Sequence, residues 1–129
     1  MNPATHLAIA ADSVRDFNHS SRSTSDGWQY PGNAYDALGN LSRLVGMLPQ
    51  ALEQSVVPVS ATHSAGRLVI DGGGDPDAAL RYLRDALAKA VQAAAELTEA
   101  VHRMHNESSP MGLDIRGLPE FEDDEPHRG

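Results

Sequence analysis

The chain has no cysteine, one tryptophan, three tyrosines, two phenylalanines and a single lysine, Lys89. Without cysteine there can be no disulfide, no thiolate metal site and no cysteine nucleophile. Basic side chains are also scarce: 10 Lys and Arg face 18 Asp and Glu, for a formal net charge of −8. That balance argues against a broad phosphate-binding surface, so direct contact with nucleic acid is not expected. No stretch approaches the ~20 apolar residues of a membrane span, and residues 1–11 lack a basic segment leading into an apolar run. A cytoplasmic protein with no membrane contact is the expectation. Also missing are GxGxxG, Gly-Lys-Ser/Thr, a nucleophile elbow and any 20 to 50 residue repeat.

What is present is helical periodicity. From Pro3 to Ser20 the apolar residues Leu7, Ala10, Val14 and Phe17 step by three and four, with Asp12, Asp16 and His19 opposite them. A polar, Gly-containing run from Ser20 to Gly27 reads as a loop. Trp28 and Tyr30 follow beside Pro31 and Gly32 and are expected to dock as an anchor, ring buried and polar tip wet. A second helix starts near Asn33 and carries Tyr35, Leu38, Leu41, Val45, Leu48, Leu52 and Val56. Pro49 and Pro58 interrupt it, because each lacks the N–H owed to the carbonyl four residues back. A kink or break is expected around residues 46–50. The apolar phase continues through His63 and Gly66 to Val69 and Ile70, so helix is the expectation over residues 56–70. The run Asp71-Gly72-Gly73-Gly74 ends it.

The last helix opens with Asp75 as N-cap, Pro76 at its first position and Asp77 in the first turn. It then carries Leu80, Leu83, Leu87, Ala90, Ala94, Leu97, Val101 and Met104 on alternating steps of three and four, a heptad stripe that has to be buried. At ~1.5 Å per residue this rod is roughly 45 Å long. It needs either the proline-broken segment folded back beside it or a second copy of the chain. Asp77 with Arg81 and Asp85 with Lys89 are i,i+4 pairs of a salt-bridged outer face.

Beyond His105 there are seven acidic and two basic residues. Residues 120–129 are expected to be disordered. The organisation predicted is therefore a helical bundle domain over residues 1–107 and an extended acidic tail over residues 108–129. Met111-Gly112-Leu113 and Leu118-Pro119 are candidates for a docking strap or a short linear motif.

The best metal-site candidate is Glu99 with His102, an ExxH spacing of the kind di-iron bundles use, joined by His105 one turn on. Phase opposes it: with Leu97, Val101 and Met104 inward, Glu99 and His102 fall on the wet half of the helix. The glycine run leading into Asp75 has the place of a phosphate loop, but Asp71, Asp75 and Asp77 would repel phosphate, so it reads as connector and cap. His63 continues the apolar stripe and is expected in the core or an interface, where a pH-sensitive contact is an option.

Trp28-Gln29-Tyr30-Pro31-Gly32, Tyr35-Asp36-Ala37-Leu38 and the segment Leu48-Pro49-Gln50-Ala51-Leu52-Glu53-Gln54 resemble small uncharacterised helical proteins of actinobacteria, some carried on mobile elements. The likeness covers about half the chain and implies no activity. By architecture the chain is also similar to WXG100-type secreted helical hairpins, although Tyr30 stands where that motif has Gly and Trp28 precedes a helix.

The expectation is thus an all-α, antiparallel bundle of three or four helices with one long C-terminal helix. It has no catalytic residue and no cofactor assigned. Its expected role is non-enzymatic: an adaptor or accessory subunit that binds a protein partner or a second copy through the Leu80 to Met104 stripe. Two alternatives stand beside it, a metal-binding bundle protein or enzyme using Glu99, His102 and His105, and an acidic regulator or nucleic-acid mimic acting through its tail.

Overall fold

The computed structural model describes residues 1–124. Its regular elements are all helical: α1 (Pro3–Ser20), α2 (Pro31–Gly46), α3 (Leu48–Ser55), α4 (Val57–Ser64), α5 (Pro76–Ser108) and a final 3-10 helix over Pro119–Asp124. Among the described residues there is no strand, only one isolated bridge between Ser25 and Trp28. The chain divides into two compact units, residues 1–34 with the segment from Pro110 onward, and residues 35–109.

In the first unit, α1 starts where its capping chemistry dictates. The Asn2 side-chain oxygen accepts from the Ala4 N–H at 2.8 Å, and Pro3 fills a position whose N–H would otherwise go unused. The Ser21 N–H closes the other end on the Phe17 carbonyl at 2.9 Å. Ser25 and Trp28 then exchange two backbone hydrogen bonds, 2.8 and 3.1 Å, around Asp26 and Gly27. Gly27 takes φ of +76°, which a side chain would resist. Asn33 receives the N–H groups of Gln29 and Tyr30 at 3.1 and 3.0 Å, fixing the entry to α2. That entry, at Pro31, is two residues earlier than apolar spacing alone places it.

A 3-10 helix spans Pro119–Asp124 within the segment expected to be disordered, and the Phe121 ring stands edge-on to Tyr30. The rest of the expected disordered tail, residues 125–129, lies outside the described residues.

In the second unit, the two prolines break the middle segment cleanly into pieces. Met47 and Val56 each separate successive helices while staying in the right-handed helical region (φ −89°, ψ −11° and φ −99°, ψ 0°). Pro49 and Pro58 each sit in the first turn of the helix that follows, where a missing N–H costs little.

Helix α4 ends at Ser64, short of the expected Ile70. The Gly66 N–H reaches the His63 carbonyl at 2.9 Å and the Arg67 N–H reaches Thr62 at 3.1 Å, the paired bonds of a Schellman cap. Gly66 supplies the left-handed residue at φ +70°. Leu68, Val69 and Ile70 therefore belong to the connection, and Val69 is 78% exposed.

Helix α5 runs for 33 residues from its Asp75 cap, whose side chain accepts the Asp77 N–H at 3.0 Å. Helices α3 and α4 pack along it. Contacts from α2 fix the direction: Tyr35 stacks on His105, Ser42 meets His102 and the Val45 carbonyl meets Thr98. At the far end His63 reaches Asp77. The order 35, 42, 45, 63 against 105, 102, 98, 77 is that of an antiparallel hairpin, one arm broken by two prolines and the other continuous. The core of this unit lies along that seam, with Val45, Leu80, Ala94 and Val101 buried.

Candidate functional site

The stripe on α5 is the principal candidate, and its burial changes along the helix. Leu80, Ala94 and Val101 are buried, while Leu83, Leu87 and Ala90 are half-buried. Leu97 and Met104, by contrast, are 48% and 55% exposed. Thr98 and His105 lean inward in their place and Ser108 is buried beyond them.

A seven-residue pattern needs 3.5 residues per turn, whereas a straight α-helix has 3.6 and drifts ~20° per heptad. Over three heptads that drift rotates Leu97 and Met104 out of the seam and brings the next positions in. Most of the stripe thus finds its partner in the chain's own α2 to α4 arm.

The exposed pair is not isolated. Tyr82, Ala86, Ala93, Leu97, Ala100 and Met104 fall within an arc of about 60° on α5, using 100° per residue. All six are exposed, Tyr82 to 70%. Beside this row runs a stripe of charge: Arg81, Asp85, Lys89, Glu96, Glu99, Arg103 and Glu107, likewise exposed. The expected helix-internal pairs do not form. Asp77 is taken by His63, and among the described residues no salt bridge involves Arg81, Asp85, Lys89, Glu99, Arg103 or Glu107.

The histidines of α5 face α2. Ser42 Oγ and His102 Nδ1 share a hydrogen bond at 3.1 Å, and the His105 ring stacks on Tyr35 with centroids 4.4 Å apart. Gly39 is cut to fit, since a Cβ there would meet His105 Nε2 at 3.1 Å. Glu99 is exposed and joins neither contact. Among the described residues no three His, Asp or Glu side chains converge as metal ligands. The ExxH spacing therefore places its two ends in different surroundings, one in solvent and one on Ser42.

His63 is half-buried, and its Nε2 lies 2.6 Å from Asp77 Oδ1, joining the end of α4 to the start of α5. An open cleft of about 260 Å³ lies beside this pair, lined also by Gly66, Leu68, Asp75 and Pro76. With two aspartates in its wall and the helix N-terminus already capped by Asp75, it repeats the electrostatics that argue against a phosphate loop.

The aromatic anchor belongs to the first unit. Trp28 is half-buried, its edge against Phe17 with centroids 5.5 Å apart, and its Nε1–H donates to the Ser21 carbonyl at 3.1 Å. Its polar tip is thus satisfied by backbone, not by water. Tyr30, 41% exposed, meets Phe121 at 5.9 Å. In the following segment Met111, Leu113 and Ile115 are exposed. Asp114 accepts three bonds from the Arg116 guanidinium and one from its backbone N–H, which together hold the carboxyl below the usual aspartate range.

Sequence reasoning missed the pairing of Ser42 with His102 and the role of Thr98, because both depend on which residue of the opposite arm comes level. Among the described residues no helix is long and apolar enough to cross a membrane. No protein-family model matches the chain, and searches of curated proteins and of solved structures find no significant match.

Proposed function

We propose that the protein is a non-enzymatic interaction module, an adaptor or accessory subunit of the cytoplasm, completed as an antiparallel bundle of three or four helices by a helix docking on α5. The observation that carries this reading is the apolar row Tyr82, Leu97 and Met104, exposed on one side of a helix whose other side is already packed. Single exposed apolar residues are ordinary, but an aligned row beside a stripe of unpaired charge is the make-up of a binding surface with a polar rim. The net charge of −8 favours a protein partner over nucleic acid or an anionic membrane.

The test replaces Leu97 and Met104 together by Ser in the full chain. Both side chains are about half in water already, so the melting temperature should fall by only a few degrees. Association, followed by sedimentation velocity over a concentration series and by pull-down on the immobilised chain, should be lost. Identical association for the wild type and the double variant contradicts the reading.

A further inference from the structure

We infer that the docking helix is α5 of a second copy of this chain, laid antiparallel across the first with a two-fold axis at the level of Ala94. This rests on the interaction reading and names its partner.

The ground for it is the charge order along α5. In a two-fold antiparallel pair, each flank of the seam meets the same flank of its copy, and residues equally far from the axis come level. With the axis at the level of Ala94, the charged stripe pairs with itself in opposite signs: Arg81 comes level with Glu107 of the copy, Asp85 with Arg103, and Lys89 with Glu99. Each pair occurs twice by symmetry. None of these six residues has an ion-pair partner within its own chain among the described residues.

The apolar row is centred one residue away, on Ala93, about 1.5 Å of helix rise from the charge centre. Tyr82 and Met104 of the copy, like Ala86 and Ala100, then stand about 3 Å from level, within reach of a thioether against an aromatic edge, and Ala93 lies one residue from the axis. Alanines at the middle let the two backbones approach to the short end of the ~8–10 Å helix spacing. Leu97 fills the space between the axis and the Tyr82–Met104 contact. Two hairpins joined in this way place four helical arms in one assembly, with the continuous arms inside.

Charge swaps in the full chain test this register. Sedimentation equilibrium of the wild type should give a dimer whose dissociation constant rises with salt, because the pairs lie on a wet rim. Lys89→Glu sets like charges level at two symmetric sites and should weaken the dimer about tenfold. Lys89→Glu combined with Glu99→Lys restores opposite signs and should recover the wild-type constant, with circular dichroism unchanged throughout. A dimer that ignores Lys89→Glu, or that the double swap fails to rescue, overturns the antiparallel register. A strict monomer overturns the dimer. The interaction reading is judged separately, by whether Leu97→Ser with Met104→Ser changes association of any kind.

Discussion

Pro49 brings no N–H to the turn that joins α2 to α3, and a side chain on the opposite arm meets a carbonyl that lies there. The Val45 carbonyl, four residues before Pro49 and so without an N–H from that position, accepts from Thr98 Oγ1 at 3.2 Å. The same hydroxyl also faces the Ala94 carbonyl at 2.7 Å, so one proton is shared between two acceptors. Thr98→Val keeps the shape and removes the donor. It should destabilise the fold by about 1 kcal/mol, the ordinary cost of a part-buried carbonyl left without a partner. In a Pro49→Ala background, where the backbone N–H returns, the same change should cost less. Equal costs in the two backgrounds, measured by denaturant unfolding, would show that the hydroxyl serves Ala94 alone. Asp114 offers a second prediction at this scale. Its carboxyl is held low first by the Arg116 guanidinium and then by the Arg116 N–H. A lowered value means that this contact is present above the ordinary aspartate range and lost as pH falls through the depressed one. Carboxyl-carbon NMR should place the Asp114 midpoint below that range, and Arg116→Gln should return it part of the way; a midpoint that does not move contradicts the pairing.

Among the elements, α1 and the start of α5 were legible in sequence, and the reason is local. Leu7, Ala10, Val14 and Phe17 place α1 by their spacing, and Asp75-Pro76 carries its capping chemistry within two residues, so no tertiary information is needed for either. The end of α4 was not legible in the same way. His63 and Gly66 keep the helical phase, so periodicity runs past the point where Gly66 turns left-handed and closes the helix. Gly66→Ala would put a Cβ into that conformation, a strain of roughly 1–2 kcal/mol. It should lower the melting temperature by several degrees and loosen amide protection at residues 62–67. An unchanged melting temperature would mean that α4 can end without its cap. The stripe of α5 was half legible: the heptad identified the buried face at Leu80 to Ala94. It failed at Leu97 and Met104, because the arm folded against it is three successive helices with bends at Met47 and Val56, which impose no continuous supercoil to hold a 3.5-residue period.

For the whole molecule, the hairpin settles where most of the seam goes and leaves a second row in water. The phase of α5 explains both facts together, since a helix that satisfies one arm with its 3.6-residue face presents the residues of a 3.5-residue pattern obliquely. Charge order then selects among occupants of that row, because a self-complementary sequence of signs is not required of a face that meets only solvent. The most direct measurement uses the absence of cysteine. Ala93→Cys places one thiol beside the two-fold axis, where two Cα atoms can come within the roughly 4.4–6.8 Å that a disulfide spans. Under mild oxidation this variant should convert to a covalent dimer far faster than Ala88→Cys, equally exposed but on the other flank of α5. Comparable, slow cross-linking of the two variants would contradict the account.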